Sequence, residues 1–323
     1  MTSKVYAGVD LGGTNIKAVL GTADGQILVT DNQPTLSHEG PEGVLDRLAG
    51  LVEELCRRAD CRVAGLGMAA PGLIDFASGR TLFFPNFPGK WRGVPVRDFL
   101  APRLGCPVYL LNDVRTATLG ELRYGHGRTT QTMALFAVGT GIGGGVVIDG
   151  RLRLGPLGAA GELGHQIILP DGPRCGCGNR GCLETLASAP AIAAEGVRLM
   201  LTGMAPKLHE RVDGEPARVT PKTMAEAALA GEETVAEAIR RAAEYIGIAA
   251  VNVVVTLHPE LIVLAGGVAQ MGELLREPVE QTIRERVGMF PTDGVAVKLS
   301  QLGDQAGVLG GLALASGGGL LNP

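Results

Sequence analysis

The sequence of 323 residues predicts an α/β protein with two similar halves. One observation is a strand–glycine turn–strand unit at the start: Val5-Tyr6-Ala7-Gly8-Val9-Asp10 runs into Leu11-Gly12-Gly13-Thr14-Asn15 and out through Ile16 to Leu20. Another is the same device repeated, with Thr132 to Val138, Gly139-Thr140-Gly141-Ile142-Gly143-Gly144-Gly145 and a returning strand over Val146 to Ile148. The length completes the argument, since it suits two domains or one large bilobal unit.

The elements follow in order. Val5 to Asp10 is a short apolar run ending in an acid, the pattern of a buried strand. Gln26 to Thr30 continues the meander, and Asp24-Gly25, like Asp149-Gly150 later, reads as a type I′ hairpin signal. A glycine loop inside a hairpin is neither a Walker loop nor a dinucleotide fingerprint, and neither spacing is present. Pro41 to Ala59 places Val44, Leu48, Leu51, Val52 and Leu55 on one helical face. Arg62 to Ala69 is a buried strand, broken by Ala70-Pro71-Gly72. Residues 73–93 read as irregular and, being long, as functional. Val96 to Leu104 is a helix, Pro107 to Leu111 a strand ending at Asn112-Asp113, and Thr116 to Tyr124 a helix. After the second glycine turn come helices over Ala189 to Leu201 and Thr234 to Val255, separated by a polar, proline-bearing stretch, 202–222, read as an exposed insertion. Leu261 to Leu264 is a strand entering Ala265-Gly266-Gly267. Glu273 to Val287, Val295 to Leu299 and Gln305 to Ala315 read as helix, strand and helix, with Gly317 onward frayed.

Composition narrows the class. Net charge is −4, with 29 basic and 33 acidic residues and no basic stretch, so neither nucleic acid nor an anionic membrane is an expected partner. No apolar run is long enough to span a bilayer, and a strand begins within a few residues of Met1, so a cytoplasmic protein without a signal peptide is expected. Cys56, Cys61 and Cys106 are scattered and suit the core.

Between these elements lies the most specific stretch. Gly161-Glu162-Leu163-Gly164-His165 is followed by Cys175-Gly176-Cys177-Gly178-Asn179-Arg180-Gly181-Cys182-Leu183-Glu184. His165, Cys175, Cys177 and Cys182 have the ligand types and spacing of a closed, structural zinc site. A disulfide would leave one of the clustered thiols unpaired. Gly176, Gly178 and Gly181 allow the bends a metal knuckle needs. Glu162 and Glu184 flank the ligands, either as solvated acids or as acceptors for a polyhydroxylated ligand.

Asp10-Leu11-Gly12-Gly13-Thr14-Asn15, Gly139-Thr140-Gly141-Ile142-Gly143-Gly144 and Ala265-Gly266-Gly267, in this order, resemble the ATP-binding turns of actin-like sugar kinases. With the Gly161–His165 and Cys175–Glu184 segments, the chain resembles the ROK family of sugar kinases and sugar-responsive repressors, nearest the bacterial glucokinase-type members, from about residue 5 to 316. The resemblance implies a two-lobed actin-like (ribonuclease-H-like) ATPase fold with substrates in the cleft. A smaller lobe would span 1–113, with a C-terminal helix over 304–323 packing back on it. A larger lobe, 114–303, would hold the zinc segment 161–184.

The resemblance also implies roles. Gly12, Gly13 and Thr14, with Thr140 and Gly141, would cradle phosphates through backbone N–H groups, and Lys17 is a further phosphate candidate. Asp10 would hold magnesium, through water. Gly266 and Gly267 would let the adenosine lie against backbone. The sugar would meet Gly72, Asn86, Asn112, Asp113, Glu162, His165 and Glu184, with one His165 nitrogen on zinc and the other on a sugar hydroxyl. Asp113, ending a strand at the carboxyl edge of the sheet, would be the general base. The implied reaction is ATP-dependent phosphorylation of a hexose, glucose to glucose 6-phosphate, by a homodimer. N-acylhexosamine or fructose kinases are the alternatives within the class, and polyphosphate is the alternative donor. The alternative outside it is a sugar-sensing repressor, whose DNA-binding module would precede the first glycine turn, where only nine residues stand before Asp10. One departure stands out: Val114-Arg115-Thr116 follows Asn112-Asp113, where the family has small residues and an asparagine.

Overall fold

The computed structural model describes residues 4–84 and 87–321. Strands β1 (Val5–Leu11), β2 (Asn15–Gly21) and β3 (Ile27–Pro34) form an antiparallel meander. Helix α1 (Gly40–Arg58) buries Val44, Leu48, Leu51, Val52 and Leu55, the stripe its periodicity predicts. It leads to β4 (Val63–Ala70), parallel to β1 and buried along nearly its whole length, as a central parallel strand must be. A short hairpin, β5 (Leu73–Asp75) with β6 (Arg80–Phe83), precedes helix α2 (Val96–Leu104) and β7 (Val108–Asn112), which is parallel to β4. Helix α3 (Asp113–Tyr124) starts at the next residue.

The second half contributes β8 (Met133–Val138), β9 (Ile142–Ile148) and β10 (Arg151–Leu152). Then come helices α4 (Leu183–Ala187), α5 (Ala189–Leu201), α6 (Pro206–Arg211), α7 (Pro221–Leu229) and α8 (Glu233–Leu257). Strand β11 (Leu261–Ala265), helix α9 (Glu273–Arg286), strand β12 (Ala296–Leu299) and helix α10 (Ala306–Ser316) close the order. The first sheet runs β3-β2-β1-β4-β7 and the second β10-β9-β8-β11-β12. Numbered within each sheet, both orders are third, second, first, fourth, fifth, so the repeated glycine-turn device marks a repeated topology. The chain divides into two compact units. One comprises residues 1–131, 146–161 and 301–323, and the other 132–145 and 162–300.

In the first unit α10 packs on β1 and β4 at backbone distance. A Cβ on Gly8 would lie 2.1 Å from the Val308 carbonyl oxygen, and one on Gly67 would lie 2.0 Å from that of Gly311. On the other side of the helix, a Cβ on Gly310 would lie 1.8 Å from the Thr116 carbonyl of α3. These contacts leave no room for any side chain but hydrogen.

Several local expectations are corrected. Asp149 and Gly150 both have positive φ (53° and 67°), the type I′ geometry. At Asp24-Gly25 only Gly25 is left-handed, with Gly25 N–H on Thr22 O (3.0 Å) and Thr22 N–H on Gln26 O (3.0 Å), a type I turn with a glycine bulge. Residues 73–93 are not irregular throughout. Beyond the β5–β6 hairpin, Phe84 stacks on Trp91 with centroids 4.8 Å apart and Phe87 meets Trp91 edge-on at 5.2 Å. Strand β9 starts at Ile142 rather than Val146. The 202–222 stretch buries Ala205, Leu208, Val212 and Val219 and contains α6, so it is folded structure rather than an exposed insertion. Past α10 the described residues, to Leu321, are held: Gly319 N–H donates to Leu314 O (3.0 Å), and Leu321 O accepts from Leu152 N–H (2.8 Å); the rest of the stretch expected to fray lies outside the described residues.

Candidate functional site

The site residues of the first unit cluster at strand ends. Asp10 is the penultimate residue of β1, opposite Lys17 on β2. Its carboxylate rests on α10, where a Cβ on Gly307 would come 2.6 Å from Oδ2. Burial and then the negative charge of Asp113 push the Asp10 carboxyl up to about 6, while Lys17 pulls it back. An acid held this way favours a cation beside it, which fits the magnesium role implied for Asp10. In the following turn Gly12 N–H donates to Asn15 O (2.9 Å), so the amide donors left are those of Gly13 and Thr14, both exposed. Thr35 steadies the turn from below, with Oγ1 donating to Gly12 O (2.6 Å) and its N–H to Thr14 O (2.8 Å).

The β7–α3 junction holds Asn112 and Asp113. Asn112 caps α3, its Oδ1 accepting from the N–H groups of Val114 (3.1 Å) and Arg115 (3.2 Å). Its Nδ2 donates to Gly72 O (3.0 Å), and Gly72 is left-handed with φ 80°. Asp113 is the first residue of the helix, and its Oδ1 accepts from Val114 N–H (2.8 Å). Burial pushes the Asp113 carboxyl above its usual range, offset by the Val114 N–H and the Arg115 guanidinium. Asn86 lies outside the described residues.

In the second unit, Thr140 is the exposed tip of a turn closed by Gly139 N–H on Gly141 O (2.8 Å). Gly141 is constrained to glycine only as long as Glu184 keeps its place, because a Cβ would sit 2.3 Å from Glu184 Oε2. The same Oε2 accepts from Ile142 N–H (2.9 Å), so Glu184, in the first turn of α4, is fastened to the glycine turn. Gly164 is constrained by backbone, with its Cβ position 1.8 Å from Ile142 O. Gly266 (φ 85°) abuts Val138 O, and Gly267 faces open space. Glu162 is exposed and starts the short helical turn Leu163–His165.

His165, Cys175, Cys177 and Cys182 bring their ligand atoms within 4.8 Å of one another. The spacing tests the zinc reading. Tetrahedral zinc with Zn–S of about 2.3 Å and Zn–N of about 2.0–2.1 Å holds two sulfurs about 3.8 Å apart, and a sulfur and a nitrogen about 3.6 Å apart. Here Cys177 Sγ and Cys182 Sγ are 3.7 Å apart, and Cys175 Sγ lies 3.6 Å from His165 Nδ1. The residues fit the ion, with Nδ1 as the histidine ligand. Burial and the neighbouring sulfurs push Cys182 up, whereas the Asn179 N–H holds Cys177 low, a set that sheds its protons when a cation replaces them. Gly178 (φ 98°) and Gly181 (φ 65°) make the bends, and Gly176 is not required to.

Sequence reasoning did not single out Gly307 or Thr35. Their signal is steric or backbone-directed and carries no titratable group.

Two sheets of one strand order, with glycine turns at strand ends, define the actin-like α/β class. Within it, the chain belongs to the ROK family, whose profile matches residues 6–317. It is 36% identical over 310 residues to the glucokinase of Thermotoga maritima, covering 95% of this chain and 96% of that protein. The xylose repressor of Caldicellulosiruptor bescii is 31% identical over 312 residues, 95% of this chain and 77% of the repressor. The crystal structure of a ROK family glucokinase from Streptomyces griseus in complex with glucose and AMPPNP matches with TM-score 0.82 at 32% identity, covering 96% of this chain and 99% of that one. Among the described residues no helix is long and apolar enough to cross a membrane.

Proposed function

We propose that this protein is an ATP-dependent hexose kinase that converts glucose to glucose 6-phosphate, with Asp113 as general base. The observation that carries the reading is similarity to glucokinases along nearly the full length of both chains. Phosphoryl transfer needs positioning and charge stabilisation, and the attacking hydroxyl must lose its proton. The Asp113 carboxylate, whose Oδ1 accepts from the Val114 N–H, is the acceptor for that proton. Burial strengthens the carboxylate as a base, and the helix start and the Val114 N–H favour its charged form. Asn112 cannot take a proton at neutral pH. Gly13 and Thr14 amides, with those of Thr140 and Gly141, bind phosphate oxygens, and Gly72, Asn112, Glu162, His165 and Glu184 bind the sugar. Magnesium bound with the nucleotide would offset phosphate charge next to Asp10. Zinc held by His165, Cys175, Cys177 and Cys182 would fix His165 and the start of α4 and would take no part in the transfer. Xylose repressors share the fold, and what favours catalysis here is the pair Asp10 and Asp113, the two acids the reaction requires.

Steady-state kinetics over a panel of hexoses, N-acylhexosamines and phosphoryl donors tests this. Glucose with ATP is expected to give the highest kcat/KM. Asp113→Asn should lower kcat by roughly 10²–10⁴ with sugar still bound. The acid limb of the wild-type pH profile should lie above the ordinary carboxylate value of 3.8, because burial raises Asp113. Turnover of the variant within a few-fold of wild type removes Asp113 as the base.

A further inference from the structure

We propose that Arg115 is a positioning residue for the sugar acceptor, fixing the Asn112 side chain as a hydrogen-bond donor and tying it to the chain just before Gly161-Glu162. This rests on the reading above, in which Asn112 and Glu162 bind the hexose.

Arg115 is 2% exposed, yet it carries a charge in the first turn of α3. Its Nη1 donates to Asn112 Oδ1 (3.0 Å). Its Nε and Nη2 both donate to Ala160 O (3.2 and 3.0 Å). A planar guanidinium can meet a carbonyl with two N–H groups and an amide oxygen with a third, whereas a lysine ammonium has no such fork. With the two helix-capping N–H groups, Asn112 Oδ1 receives three donors, more than its two lone pairs ordinarily serve. One Nδ2 hydrogen is spent on Gly72 O. A flipped amide would put its NH₂ against three donors, so the orientation is set. The one group Asn112 has left is its second N–H, which also acts on the neighbouring Asp113 carboxylate and lowers its proton affinity.

The consequence is a rule about the substrate. Asn112 can donate to a sugar hydroxyl and cannot accept from one, so the hydroxyl it meets must accept there and give its own proton elsewhere. Ala160 is two residues before Glu162, so the same arginine holds the chain next to Gly161.

The test compares wild type with Arg115→Met, which keeps the stem and removes the donors, and Arg115→Lys, which keeps the charge and removes the fork. Arg115→Gln replaces Arg115→Met should the methionine variant fail to fold. KM for hexose and for ATP are measured on each, with zinc content and a series of monodeoxy hexoses. The expected result is a hexose KM raised about tenfold or more in Arg115→Met, with KM for ATP within about twofold and zinc unchanged. Arg115→Lys should behave like Arg115→Met. One deoxy analogue should lose about tenfold in kcat/KM with wild type and less than about threefold with Arg115→Met, because the two losses share one interaction. A hexose KM within about twofold of wild type overturns the proposal, as does a parallel rise in both KM values or an unchanged deoxy penalty, which marks mere core filling. Should wild type phosphorylate no hexose, the kinase reading falls separately. Calorimetric hexose binding then decides Arg115: about tenfold weaker binding in Arg115→Met upholds it, and equal binding, or none by wild type, overturns it.

Discussion

At the scale of single residues, Asp10 shows a site group that works against the fold. Its carboxyl is pushed up to about 6 from an ordinary 3.8. The folded state therefore holds the proton more tightly than the unfolded state. The stabilisation from the protonated acid is complete below about 3.8 and is lost as pH rises through about 6. Asp10→Asn should thus melt higher than wild type at neutral pH without ligands, by about 2–4 °C for each kcal/mol relieved, and should lose its phosphoryl transfer. The gap should close toward pH 4. Melting curves across pH check this, and a variant less stable than wild type at pH 7 contradicts it. Asp10, the acid that ends a strand before a glycine turn, and Asp113, the acid that follows the strand Pro107 to Leu111, were singled out in the sequence through the family resemblance. The partners that tune them were not. Nothing in a linear string says that Gly307 leaves room for a carboxylate nearly three hundred positions earlier, or that Arg115 reaches Ala160.

At the scale of elements, the Cys/His cluster and the second glycine turn are joined by one carboxylate. Glu184 follows the last cysteine by two residues and accepts from Ile142 N–H at 2.9 Å. Stripping the metal should therefore reach beyond the knuckle. Hydrogen exchange on chelated protein should show the Ile142 amide losing about tenfold or more in protection, while the interior of α8 stays protected. Cys182→Ser should reproduce the pattern, and an Ile142 amide that exchanges at its original rate counts against the link. The knuckle was readable because its chemistry depends on residue type and spacing alone. The β5–β6 hairpin was not, since its strands are only three and four residues long. Its turn signal was nevertheless present: Asp75 accepts from Ala77 N–H (3.1 Å) and Ser78 Oγ (2.6 Å), and Gly79 is left-handed. Likewise Ala205, Leu208 and Val212 have helical spacing that the prolines and charges around them masked.

At the scale of the whole molecule, one strand order is used twice, and the first unit is assembled from three separate stretches of chain. Its sheet comes from the beginning, but the helix that covers β1 and β4 is α10, residues 306–316. The fit between them is backbone on backbone, which makes it sensitive to one added methyl. Gly311→Ala would put a Cβ 2.5 Å from Gly67 O. The substitution should cost about 1–3 kcal/mol, the usual penalty of overpacking, and lower the melting temperature accordingly. Denaturant titration measures it, and a loss under about 0.5 kcal/mol would mean that the helix shifts freely. A repeated sheet was predictable from two glycine turns. The identity of its covering helix was not, because the Ala- and Gly-rich run from 306 to 316 has no polar face to show which side it turns inward. The location of α10 also carries a temporal consequence. A ribosome makes β1 and β4 long before it makes Ala306–Ser316, so the first unit to be synthesised is the last to be completed. Its strands must wait, with Gly8 and Gly67 uncovered, through the synthesis of nearly two hundred and forty further residues after Ala70. The second unit, all of whose residues lie before 301, can finish first.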